Sequence, residues 1–213
     1  MNSTALPNPS TAFWDKIAAK YARKPVADPA AYDAKIARIR TLLRAEDRML
    51  EIGCGTGTTA VRLASDVAEI TATDISNRMI AIAEEKRVSA KAANLSFVQA
   101  DATERLPGAP FDVIAAFSLL HLVEDVPAVL KSAHDQLKPG GTFLTKTVCL
   151  ADARWPVRAF VRALGIIGAA PPVTVLSRTA LNGALVRAGF DLIECRYFGK
   201  GRLNPFIIAQ RPR

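Results

Sequence analysis

Two histidines and three cysteines are all that this chain of 213 residues offers to soft-metal chemistry. Cys54, Cys149 and Cys195 lie far apart and share no ligand spacing, so neither a metal knuckle nor a disulfide framework is expected. No run of about eighteen apolar residues occurs, so no membrane-spanning helix is expected. Met1 to Ala12, with Pro7 and Pro9, lacks the apolar centre of a secretion signal. These absences lead to the expectation of a reduced, cytoplasmic, soluble protein. No internal repeat is visible. Half of the residues are apolar and 7% are aromatic, an ordinary composition for one domain with a sizeable core.

The informative stretch is Leu50-Glu51-Ile52-Gly53-Cys54-Gly55-Thr56-Gly57. It reads as a buried strand that breaks into three alternating glycines and opens a helix over Thr58 to Ser65. Glycine lets the backbone turn sharply and lets a ligand approach the main chain. A helix start adds unpaired N–H groups beside that ligand. Glu51, just before the glycines, is ill placed for a phosphate and well placed for a sulfonium or an amino group. The same residues contain a rival reading. Gly55-Thr56-Gly57-Thr58-Thr59-Ala60 fits the dinucleotide fingerprint G-x-G-x-x-G/A, and Asp74 follows at the spacing of a ribose-binding acid. Glu51 and the additional Gly53 weigh against that rival. So does the lack of a downstream Tyr-x-x-x-Lys pair for a nicotinamide-dependent oxidoreductase.

The rest of the chain alternates strands and helices. Strands are expected at Arg48–Cys54, Glu69–Ile75, Leu95–Ala100, Asp112–Ser118, Thr142–Val148, Leu192–Phe198 and Phe206–Gln210. Helices are expected at Thr11–Lys24, from Asp28-Pro29 to about Arg44, at Asn77 to about Ala90, at Val126–Leu137 and at Thr179–Ala188. Such alternation implies an α/β fold with a doubly wound, mostly parallel sheet. The last two strands have only Gly199 to Pro205 between them, too short for a helical crossover, so they should pair antiparallel. The expected organisation is a disordered stretch 1–12 followed by one domain, 13–213. Within it, 13–45 forms a helical cap and 151–178 an amphipathic lid or insert.

Glu-Ile-Gly-Cys-Gly-Thr-Gly closely resembles the first motif of class I S-adenosylmethionine (SAM) dependent methyltransferases. Phe111-Asp-Val-Ile, Leu119-Leu-His-Leu and Leu137-Lys-Pro-Gly-Gly strengthen the resemblance, which spans roughly Trp14 to Gln210 and points to the small-molecule branch. The resemblance implies a seven-stranded sheet with one reversed strand, and SAM as cofactor. It implies that Gly53, Cys54, Gly55 and Gly57 pass close to the methionyl part and that Glu51 helps to place its amino group. Asp74 would accept the ribose hydroxyls, and Ile75 and Met79 would flank the adenine. Asp101 and the Ala102 N–H would meet the adenine edge, and Phe117 and Ser118 would offer a backbone carbonyl to the amino group. Each position has a plainer alternative: Asp74 as the cap of the next helix, Met79 as core, Glu51 as partner of a nearby base. His121, just past the fourth strand, is the candidate general base, with a packed loop histidine as the alternative. Trp14 and Tyr21 lie on the helix that covers the site in similar enzymes.

Methyl transfer from a sulfonium is an in-line displacement that asks the protein mainly to align reactants and exclude water. No metal is required. The acceptor side is therefore the variable side. Residues 1–50 and 151–213 carry net charges of +4 and +7, whereas 51–150 carry −3. If these basic flanks belong to the site, they suit an anionic substrate, an anionic membrane surface or nucleic acid; otherwise they serve solubility. Arg154, Arg158 and Arg162 repeat every four residues opposite Val157, Phe160, Val161, Leu164 and Ile167, a short basic amphipathic helix broken by Gly165 and Gly168 and ended by Pro171-Pro172. It can pack on the sheet, cover a substrate, or lie on an anionic membrane through 154–168. A nucleic-acid substrate is not expected. The position after strand four reads Phe117-Ser118-Leu119-Leu120 instead of Asn/Asp-Pro-Pro-aromatic, no Pro-Cys pair occurs, and there is no basic patch studded with aromatics. The expectation is a SAM-dependent methyltransferase acting on a small, partly apolar acceptor. The alternatives are a phospholipid or quinone-type methyltransferase at a membrane surface, an NAD(P)-dependent oxidoreductase, and a SAM-binding regulator without activity.

Overall fold

Two strands, β1 (Arg48–Ile52) and β4 (Phe111–Phe117), form the centre of the sheet and are buried along almost their whole length. Near-continuous apolar runs of this kind suit parallel strands covered on both faces. Successive side chains point to opposite faces. Leu50, Ile52, Ile114 and Ala116 enter one core, which also takes Val129 and Leu130 of α5 (Val126–Gln136) and Leu181 and Leu185 of α7 (Arg178–Arg187). Met49, Val113, Ala115 and Phe117 enter the other, with Ile36 and Ile39 of α2 (Pro29–Arg40) and Ala60 and Leu63 of α3 (Thr58–Leu63). The computed structural model describes residues 9–167, 170–171 and 173–213.

β2 (Glu69–Asp74) and β3 (Leu95–Gln99) extend the sheet to one side. β5 (Leu137–Lys146), β7 (Phe206–Gln210) and β6 (Asp191–Arg196) extend it to the other, in the order β3-β2-β1-β4-β5-β7-β6. Every pair from β3 to β5 is parallel, while β7 runs antiparallel to both β5 and β6. The seven-stranded, doubly wound sheet with one reversed strand is therefore the one expected from the sequence.

Caps act where the sequence places them. Asp28 accepts from Ala31 N at the start of α2, with Pro29 in the first turn, and Ser76 accepts from Met79 N at the start of α4 (Asn77–Ala90). Several boundaries differ; α2 ends at Arg40 instead of about Arg44, and β1 at Ile52 instead of Cys54. Helix α1 (Pro9–Ala22), which packs on α4, already includes residues 9–12, so the expected disordered stretch is helical there; residues 1–8 lie outside the described residues. Strand β5 starts at Leu137, which pairs with Phe111 before the ladder shifts register and resumes at Val113 and Thr142. Pro139 has no N–H to give and Gly140 takes φ +78°, so Lys138 to Gly141 form an irregularity inside the strand instead of a loop before it. The amphipathic segment forms α6 (Trp155–Ile166); Gly168 and Pro172, expected to break and end it, lie outside the described residues.

Candidate active site

Strand order reverses between β1 and β4, and a cavity of about 880 Å³ opens over the carboxyl ends of β1 to β5. Its floor is the glycine turn. Gly53, Gly55 and Gly57 have φ of +70°, +55° and +72°, a region that side chains rarely adopt. Their surroundings separate their tasks. A Cβ on Gly55 would meet nothing nearer than Tyr21 Cε1 at 3.8 Å, so the main chain there is open to a ligand. A Cβ on Gly53 would fall 2.7 Å from Leu119 Cδ1. On Gly57 it would fall 2.5 Å from Phe97 Cζ and 2.8 Å from Ala83 Cβ, and Gly57 is not on the cavity wall. Gly57 thus lets α3 start close against α4 and β3; the expected approach to the cofactor belongs to Gly53, Cys54 and Gly55, which do line the cavity.

Asp74, at the end of β2, is not the cap of α4, a place taken by Ser76. Asp74 lines the cavity, and its two oxygens accept from Gly55 N and Ser76 N at 2.9 Å each. It thereby fixes the glycine turn against the start of α4. Burial raises its pKa, opposed by those backbone donors. Asp15 of α1 braces the same corner by accepting from Ser76 Oγ at 2.6 Å. Ile75, Met79, Asp101, Ala102, Phe117 and Ser118 also line the cavity. One oxygen of Asp101 takes both the N–H and the hydroxyl of Thr103, which orients the carboxylate at the end of β3. Ser118 has φ +55°, a strained value for a residue with a side chain, and its N–H donates to Lys146 O at 2.6 Å.

The electrostatic centre is Glu51. It is buried at the end of β1, its Oε2 has no hydrogen-bond partner, and Ala60 N is its backbone donor. Burial raises its pKa to about 7, and the nearby Lys35 pulls it back. Lys35, only 4% exposed, is the corresponding cation, lowered to about 8 by burial and held up by Glu51. Its ammonium lies over the rings of Phe117 and Tyr32, 4.2 and 4.6 Å from their centroids. The sequence reading passed over Lys35. The signal was its position three residues after Tyr32 and four before Ile39, which sets it in the apolar stripe of α2. Lys146, at the end of β5, also lines the cavity and was also missed.

His121 stands apart. The wall runs through Ser118, Leu119 and Leu122 to Asp125 without it. Its Nδ1 is buried without a partner, and burial lowers its pKa to about 4. The expected base is thus a neutral, packed imidazole behind the wall. Helices α1 and α2 do cap the site: Trp14 and Tyr21, edge to face at 6.1 Å, line the cavity with Lys35. Among the described residues, none of α6 lines it.

The residues fit a ligand that carries a cationic end: an orphaned buried carboxylate oxygen, an open glycine backbone beside it, and acids at the ends of β2 and β3. Comparisons with known proteins agree. A family described as "Methyltransferase domain" matches residues 43–163. The 27-O-demethylrifamycin SV methyltransferase of Amycolatopsis mediterranei is 40% identical over 103 residues, which is 46% of this chain and 38% of that protein. A ubiquinone biosynthesis O-methyltransferase of Albidiferax ferrireducens is 30% identical over 138 residues, covering 63% of this chain and 51% of that one. The chain thus spans about half the length of these relatives, or less. A SAM-dependent methyltransferase from Mesorhizobium loti shares the fold, with a TM-score of 0.72 at 22% identity over 85% of this chain and 98% of that one. The chain belongs to the methyltransferase domain family and has the fold of the class I, S-adenosylmethionine-dependent enzymes.

Proposed function

We propose that this protein transfers the methyl group of SAM to a small, partly apolar acceptor. The observation that carries the proposal is Glu51: a buried carboxylate with an unpartnered oxygen beside an open glycine backbone. A pyrophosphate would be repelled there, whereas an ammonium or sulfonium would neutralise it. Glu51 and Lys35 together offer opposite charges to the two ends of an amino-acid zwitterion, so we assign the cofactor's amino group to Glu51 and its carboxylate to Lys35. Asp74 has lone pairs left for ribose hydroxyls after holding Gly55 and Ser76. Ile75 and Met79 provide apolar faces for the adenine, and Asp101 and the Ala102 N–H its edge. The Ser118 turn presents the carbonyls at the end of β4 to the amino group.

When bound, the cofactor supplies a methyl carbon on a sulfonium, open to in-line displacement. The chain's own part is alignment and dryness. Trp14, Tyr21, Leu119 and Leu122 make the acceptor half of the cavity largely apolar, and Lys146 adds a cation there. His121 is given no proton transfer, because its ring is off the wall. The names of the two O-methyltransferases above favour an oxygen as the accepting atom.

Calorimetric titration with S-adenosylhomocysteine, NAD and NADP tests the reading, on the wild type and on Asp74→Asn. Asparagine keeps one oxygen for the turn and loses the carboxylate. Saturable binding of S-adenosylhomocysteine, weakened about tenfold or more in the variant, is expected. Binding of a nicotinamide cofactor in its place would sink the proposal and revive the rival fingerprint from Gly55 to Ala60.

A further inference from the structure

Helix α6 is amphipathic without using its apolar side. Among its residues whose exposure the structure describes, Val161, Leu164 and Gly165 are half-buried and 155–160, 162 and 163 are exposed. Trp155 is 77% and Phe160 64% exposed, and Val157 and Ile167 are exposed as well. Of the three roles its sequence allowed, two are not taken: α6 is not packed into the core, and it does not cover the cavity.

Charge says what suits it. Arg154, Arg158 and Arg162 are exposed along one line of the helix, and none makes an ion pair or a side-chain hydrogen bond among the described residues. Between Asp152 and Asp191 the sequence has five arginines and no acidic residue. An apolar arc edged by unpaired guanidiniums, with an exposed tryptophan in the first turn, complements a surface that offers acyl chains and phosphates together. A bilayer interface offers acyl chains and phosphates at adjacent depths, so one convex helix can meet both with its two sides.

The place of α6 gives such contact a consequence. Lys146, at the end of β5, lines the cavity, and α6 starts nine residues later, after the short turn Leu150–Asp152. After α6 the chain returns beside Val123 of the cavity wall, where Thr174 donates to Val123 O at 2.6 Å and to His121 O, off the wall, at 2.9 Å. The segment that carries α6 thus leaves the sheet at Lys146 and rejoins the fold beside Val123, two residues of the cavity wall. We propose that α6 docks this protein reversibly onto anionic lipid surfaces, with the cavity rim toward the bilayer. The docking stands without the methyl-transfer reading. If that reading also holds, the apolar acceptor is one that partitions into lipid.

Co-sedimentation with vesicles tests this. The probes are pure phosphatidylcholine and phosphatidylcholine with about a third phosphatidylglycerol, at low and high salt. The full chain should pellet with the anionic vesicles, and salt should release it. Replacing Arg154, Arg158 and Arg162 by glutamine should weaken partitioning roughly a hundredfold. Phe160→Asp should abolish it. S-adenosylhomocysteine binding reports that each variant is folded. Failure to bind the anionic vesicles would overturn the proposal. So would unchanged binding of the variants, or a dimer in light scattering that Phe160→Asp dissolves.

Discussion

Lys35 is the residue on which the assignment of the amino-acid end rests. A largely buried ammonium costs free energy that ring faces and a neighbouring carboxylate only partly offset. Lys35→Met keeps the length and packs against Tyr32 and Phe117 while removing the charge. Affinity for S-adenosylhomocysteine should fall about tenfold to a hundredfold, as for loss of a charge-assisted contact. Affinity for 5′-methylthioadenosine, which lacks the amino-acid end, should not change. Equal losses for both nucleosides in parallel titrations would show that Lys35 only supports the fold. The acids were legible in the sequence because each sits at a strand end beside a glycine or turn signal, as Glu51, Asp74 and Asp101 do. Lys35 was less so, since its neighbours Glu51 and Phe117 reach it only through packing of α2 over β1 and β4. The direction of His121 was not legible at all, because no hydrophobic period fixes where a loop side chain points.

Among elements, the junction of β1 with α3 shows how one glycine pattern holds two different demands. Gly57→Ala would combine a left-handed alanine with contacts of 2.5 and 2.8 Å to Phe97 and Ala83. Strain and overpacking together should cost roughly 2–4 kcal/mol of stability. Gly55→Ala meets open space and should cost only about 1–2 kcal/mol, yet weaken cofactor binding because its Cβ enters the cavity. Urea denaturation and calorimetry on the two variants should therefore rank them in opposite orders. The same order in both measurements would refute this division of labour. The seven strands, the antiparallel last pair and the cap of α2 followed from apolar runs, a short connection and a side-chain oxygen at a helix start. The irregular start of β5 did not. Pairing of Leu137 with Phe111 is decided across the sheet, and Lys138-Pro139-Gly140-Gly141 reads locally as a turn. Nor did the standing of α6, since an amphipathic pattern says which face is apolar and not whether anything covers it.

At the scale of the whole molecule, two buried groups tie stability to pH with opposite signs. The pKa of His121 falls from 6.5 to about 4 on folding, so the unfolded chain takes its proton first. Its contribution is complete above pH 6.5 and is lost as pH falls toward 4. The pKa of Glu51 rises from 4.5 to about 7, so its contribution is complete below pH 4.5 and is lost as pH rises toward 7. Between pH 4.5 and 6.5 the two slopes, each at most about 1.4 kcal/mol per pH unit, oppose one another. His121→Leu should remove one slope and gain stability relative to the wild type as pH falls through this window. Glu51→Gln should remove the other and gain relative to the wild type as pH rises, while losing affinity for S-adenosylhomocysteine. Urea denaturation of the three proteins at pH 5, 6 and 7 measures both. Curves that stay parallel for His121→Leu would mean that its ring is hydrated in solution, and would reopen a place for it on the cavity wall. Parallel curves for Glu51→Gln would mean that Lys35 holds the carboxylate charged throughout. In that case the cofactor's amino group would meet an anion already neutralised by the protein, and the assignment of that group to Glu51 would fall.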